Sequence, residues 1–99
     1  MRITFSRSGG VTGVRLRTTV NEEDLSAPRA AILRRLVKAA DCFRLPQQLA
    51  SEPKQPDRFQ YELTLEDGEH RHTIAIEEAA ATPALLKLLE WLTDMARGG

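Results

Sequence analysis

What the chain lacks narrows its class. Cys42 is the sole cysteine among 99 residues, so a disulfide-stapled scaffold is excluded and a reducing, cytoplasmic setting is expected. No apolar run approaches the ~20 residues that span a bilayer, so no membrane role is expected. Behind Arg2 there is no apolar segment of the kind a secretory signal needs. Aromatic residues are confined to Phe5, Phe43, Phe59, Tyr61 and Trp91, and formal net charge is zero. Sparse aromatics and balanced charge argue against a dedicated nucleic-acid binder. The catalytic signatures are missing too: there is no H-E-x-x-H, no nucleophile elbow and no Walker loop. His70 and His72 share a strand face but have no third ligand at a metal-binding spacing. A non-enzymatic domain without cofactor is expected.

What is present is a globular composition, 41% hydrophobic and 28% charged, sized for one domain with a modest core. The charge is unevenly placed. Residues 1–50 carry nine Lys/Arg against four acids, and the remainder carries five against ten. Such a dipolar molecule can steer toward a charged partner, or its two halves can neutralise each other within one fold.

Hydrophobic periodicity divides the chain into six elements. Arg2–Ser6 alternates as a half-buried strand, and Val14, Leu16, Thr18 and Val20 mark a second. Ser26 caps a helix with Pro28 in its first turn, and its apolar stripe runs from Ile32 to Phe43. Three prolines make Leu45–Asp57 a long loop. Phe59, Tyr61, Leu63 and Leu65 alternate before Asp67-Gly68, a hairpin signal. Taking those two residues as the turn pairs Leu65 with His70, Leu63 with His72, Tyr61 with Ile74 and Phe59 with Ile76. Thr82-Pro83 opens a last helix, with Leu85, Leu88, Leu89 and Leu92 on one stripe and Leu86 and Trp91 on its flanks. The predicted fold is α+β in the order ββαββα: a four-stranded antiparallel sheet with both helices on one face.

One segment stands out chemically. Arg7-Ser8-Gly9-Gly10-Val11-Thr12-Gly13 joins two strands, so no helix N-terminus is available to cradle a phosphate. A glycine-rich loop lets the backbone approach a partner closely, and Val11 adds an apolar anchor where a hairpin tip prefers polar residues. A simple flexible hairpin tip fits the same residues, and both readings stand at this level. The flank of the last helix, Leu86 and Trp91, is the alternative interaction surface. Nucleic-acid binding through the basic first hairpin is a weaker third reading.

Several stretches in order carry a resemblance: "RITFSRSGGVTG", the helix end "AADCFRLP", and "PDRFQYELTLEDGEHRHTIAIEE" before a Leu/Trp helix. Together they resemble the emfourins, small bacterial inhibitors of thermolysin-like zinc metallopeptidases, over nearly the whole chain. The resemblance implies a non-catalytic single domain, residues 1–99, monomeric when free, that blocks a metallopeptidase cleft inside the cell. It implies protease contact through Arg7, Ser8, Gly9, Gly10 and Val11, with Arg7 pairing to acids at the cleft. Phe43, Arg44 and Leu45 form a second candidate edge.

Overall fold

A computed structural model describes residues 1–10, 13–52 and 58–98. Seven regular elements follow in order. They are β1 (Arg2–Gly9), β2 (Leu16–Asn21), α1 (Ala27–Ala40), β3 (Gln48–Leu49), β4 (Phe59–Asp67), β5 (His70–Glu77) and α2 (Pro83–Ala96). The sheet order is β2-β1-β4-β5-β3. The α+β class and the two helices agree with expectation, but the sheet has five strands and is mixed.

The extra strand is the correction to the four-stranded antiparallel sheet. β3 runs parallel to β5, pairing Gln48 with Ala75 and Leu49 with Ile76. It lies within the segment expected to be only a loop. Two paired residues between Pro46 and Pro53 are too few for periodicity to register, and an edge position tolerates such neighbours.

The central pairing is β1 with β4, antiparallel from Arg2↔Glu66 to Gly9↔Phe59. The second hairpin is shifted by two residues from the expected register: Leu65 faces His72, Leu63 faces Ile74 and Tyr61 faces Ile76. Asp67 pairs with His70, so Gly68-Glu69 occupies the turn instead of Asp67-Gly68. A two-residue slip leaves every side chain on its expected face. The inward row therefore still contains Ile3, Phe5, Tyr61, Leu63, Leu65, Ile74 and Ile76, all buried.

Both helices cover that row. Ser26 Oγ accepts from the Arg29 amide at 3.4 Å, and Thr82 Oγ1 accepts from the Leu85 amide at 3.2 Å. Each cap satisfies an amide that the helix itself leaves without a partner. Ala30, Leu33, Val37 and Ala40 of α1 join Leu85, Leu88, Leu89 and Leu92 of α2 in one core cluster or beside it. Each fully buried Leu, Ile or Phe contributes roughly 1.5–3 kcal/mol through removal of apolar surface from water.

α1 stops at Ala40, earlier than the apolar stripe predicts. Asp41 adopts φ 53°, ψ 46°, a left-handed cap, and Cys42–Arg44 forms a separate 3-10 turn. That reversal turns Phe43 away from the helix stripe and leaves it 38% exposed. Cys42 instead points inward, 1% exposed, and its thiol is pushed up to about 11 by burial, with the Asp41 charge adding to the shift.

Two outcomes follow from this corner. Asp41→Gly should stabilise the protein by about 1 kcal/mol, because glycine carries no left-handed penalty. The exposed Asp41–Arg44 pair at 4.0 Å contributes little that would be lost. A urea midpoint that falls instead of rising would contradict this. At pH 8 the Cys42 thiol lies well below its pKa and should react with an aromatic disulfide reagent only as the protein unfolds. Rapid labelling of the native state would contradict the buried placement.

Candidate functional site

The glycine-rich segment begins at one end of the sheet. Arg7 of β1 pairs with Leu16 of β2 and also with Tyr61 of β4, but Ser8 and Gly9 pair only with β4. The first strand thus outruns its hairpin partner, and the chain leaves the sheet at Gly10 supported from one side. Val11 and Thr12 lie outside the described residues. Gly13, Val14 and Arg15 return toward β2, and Val14 is 56% exposed.

Glycine is required at the take-off for two reasons. Gly9 has φ +84° and Gly10 has φ +74°, values that residues with a side chain rarely adopt. The neighbouring strand also sits too close. A Cβ on Gly9 would lie 3.1 Å from the Arg58 carbonyl oxygen, and one on Gly10 would lie 2.6 Å from Cε1 of Phe59. The Gly10 amide donates to the Arg58 carbonyl at 3.4 Å, a long bond. The start of the loop therefore rests on the Arg58 carbonyl, just before β4, and on the Phe59 ring that opens the strand.

Residues around that ring hold it in place. The Phe59 amide donates to Glu78 Oε1 at 3.1 Å, and an Arg58 guanidinium nitrogen lies 3.9 Å from Glu78 Oε2. The Arg7 guanidinium lies 4.0 Å from the ring centroid, within cation–π range. Phe59 in turn meets Tyr61 edge-on at 6.3 Å, and Tyr61 meets Phe5 at 5.9 Å. An aromatic row thus connects the loop to the core. Burial raises the Tyr61 hydroxyl pKa, with the Glu78 charge adding to it and the Arg7 charge opposing it.

Arg7 occupies an inward position and is 9% exposed, with its Nε lacking a hydrogen-bond partner. It lines a cavity of about 260 Å³ together with Phe59, Tyr61, Glu78, Glu90 and Asp94. The opposite, helix-free face of the sheet carries a shallow polar depression of about 350 Å³, lined in part by Ser6, Ser8, Arg15, Gln60 and Glu77. Ser8, Gly9 and Gly10 lie between these two surfaces. No cluster of three or more His, Cys, Asp or Glu side chains among the described residues is placed to hold a metal ion.

The second candidate edge is elsewhere. Phe43 shares a depression with Asp67 and His70, beside the β4–β5 turn. Arg44 is exposed, and the Leu45 carbonyl is hydrogen-bonded to His72 Nε2 at 2.6 Å. Since β1 begins opposite Glu66 and ends opposite Phe59, the sheet separates this edge from the glycine loop by roughly 25 Å at ~3.3 Å per residue. Residues 7–10 and 43–45 therefore do not form one contiguous surface. Leu86 and Trp91 are both half-buried against the core, which weakens the flank of α2 as an exposed anchor.

Sequence reasoning missed Phe59 and Glu78 as parts of the loop's support. The inward placement of Arg7 was available from parity, because Ile3, Phe5 and Arg7 alternate. The contact between Gly10 and Phe59 depends on the β1–β4 pairing, which no local pattern announces.

Gly10→Ala should destabilise the protein by about 1–3 kcal/mol, combining left-handed strain with displacement of the Phe59 ring. Thermal or denaturant unfolding measures this directly, and a change below a few tenths of a kcal/mol would contradict the close packing.

Comparison with curated proteins and with solved structures gave no significant match. The sequence profile of one family does match, over residues 5–93, a span that contains the loop support, α1, all but the last turn of α2, and all five strands except the first residues of β1. On that match, which covers nearly the whole chain, the protein belongs to the emfourin family.

Proposed function

We propose that this protein is a reversible inhibitor of a thermolysin-like zinc metallopeptidase, acting in the cytoplasm as a free monomer until it meets its target. Family membership supports the inhibitor class. The observation that carries the choice of site is the overhanging take-off of the first loop, where Ser8, Gly9 and Gly10 extend past β2 with no side chain on the two glycines. A backbone left without a partner strand on its β2 side can enter a narrow cleft and hydrogen-bond along it as an extended segment does. Val11 follows as the apolar anchor of this reading.

Inhibition in this account is steric and needs no chemistry from the inhibitor. Support from β4 holds Gly9 and Gly10 before binding, so less conformational freedom is lost at the take-off on docking. The polar depression beside Ser8 gives the rim of the interface, and Arg15 there supplies a charge for orienting the encounter. Arg7 acts from beneath the loop in this arrangement, since its side chain is directed into the fold. Phe43, Arg44 and Leu45 belong to a different end and would serve only a second, separate contact.

The test is titration of purified thermolysin-like peptidases with the protein, reading residual hydrolysis of a peptide substrate. Stoichiometric loss of activity is expected for at least one such enzyme. Exchanging Val11 for Asp should weaken inhibition by at least about tenfold while leaving the melting temperature unchanged, because a charge would be desolvated in the cleft. No loss of activity at micromolar excess across several such peptidases would contradict the proposal.

A further inference from the structure

The geometry points to Phe59, clasped by Arg7, as the seat that fixes the Gly9-Gly10 turn in advance, so that both side chains set inhibitory strength without contacting the target. This inference rests on the reading of the first loop as the inhibitory segment.

Three observations converge on it. The first is that Arg7 occupies a core position, following Ile3 and Phe5 on the inward face of β1, yet carries a charge. Burying a guanidinium whose Nε has no acceptor is unfavourable, and a leucine would fill an inward position without that penalty. The guanidinium instead stacks on the Phe59 ring, at 4.0 Å, while a second interaction with the Tyr61 side chain holds it in place over that ring.

Phe59 is itself tethered on a second side. Its amide donates to Glu78 Oε1 at 3.1 Å, so the backbone that carries the ring is anchored as well. Guanidinium and carboxylate thus constrain the same residue, one through the ring and the other through the backbone.

The third observation concerns what holds Gly10. Its hydrogen bond to Arg58 is long, 3.4 Å, and the contact with the ring is close enough that a Cβ there would overlap it. The turn is consequently positioned by the ring more than by the ladder. Removing the ring opens a gap beneath Gly10, and removing the guanidinium frees the ring to rotate away. In either case the loop must be ordered at the moment of binding, and affinity falls although no contacting residue has changed.

Phe59 and Arg7 are therefore positioning residues, and the experiment separates that role from general stability. Nuclear magnetic resonance relaxation of the free protein reports the order of the Gly9 and Gly10 amides, and a Gly10 Hα to Phe59 ring cross-peak reports the seat. The inhibition constant against a sensitive thermolysin-like peptidase and the melting temperature complete the set. Phe59→Leu and Arg7→Met should each lose order at Gly9 and Gly10 and weaken inhibition by about tenfold. Arg7→Lys, which keeps a cation for the ring, should recover most of both. Should Phe59→Leu fail to fold, the two Arg7 variants carry the comparison.

Unchanged order at Gly10 in the variants overturns the inference, as does wild-type inhibition by a variant whose Gly10 has become mobile. A wild-type protein that inhibits no such peptidase would contradict the inhibitor reading instead. The seat itself would then be judged by the relaxation data alone.

Discussion

The antiparallel pairing of β1 with β4 is the constraint on which the rest of this structure depends. It joins two hairpins, each of which alone would be marginal in water, into one sheet with a continuous apolar face. Ile3 and Phe5 on one strand and Tyr61, Leu63 and Leu65 on the other become neighbours only through it. The same register brings Gly9 opposite Phe59, which creates the support under the glycine-rich loop. Core and candidate site are consequences of one ladder.

That ladder also explains the division of labour between the two faces. Helices α1 and α2 close over the apolar side with capped first turns and a shared Leu-rich contact. The other side remains polar, with Thr4, Ser6, Arg15, Arg17 and Glu62 around a second depression. The long segment after α1 runs back along the β5 edge. Leu45 is held to His72, Gln47 accepts from the Ala75 amide, and the Ser51 amide donates to Glu77. Pairing through β3 and these bonds covers part of an edge that would otherwise offer unpaired backbone groups to other chains.

Much of this was legible in the sequence, and the exceptions have physical reasons. Alternation and helical spacing are local signals, so both hairpins, both caps and nearly every core residue could be read from them. The β4–β5 register differed by two because Asp67-Gly68 and Gly68-Glu69 are both reasonable turn centres, and parity cannot distinguish them. β3 was invisible because two residues carry no period. The early end of α1 depends on a non-glycine residue, Asp41, in a left-handed conformation that its side chain does not advertise. The candidate site was half legible: three glycines marked the loop, whereas its dependence on Phe59, Arg7 and Glu78 is a tertiary property. Proximity of residues 43–45 to the loop could not be judged without knowing which end of the sheet each occupies.

Taken together, the account is one of a two-layer domain with two glycines, Gly9 and Gly10, at one sheet end, where the first strand outruns its hairpin partner. Its central claim is that the target meets this end. The most direct measurement is to titrate the isotope-labelled protein with a thermolysin-like peptidase that it inhibits and to follow every amide resonance. The account predicts shifts or broadening concentrated at Ser8, Gly9, Gly10 and Gly13 and spreading to the adjoining depression. Perturbation centred on Phe43 and His70, with the glycine amides unchanged, would contradict it.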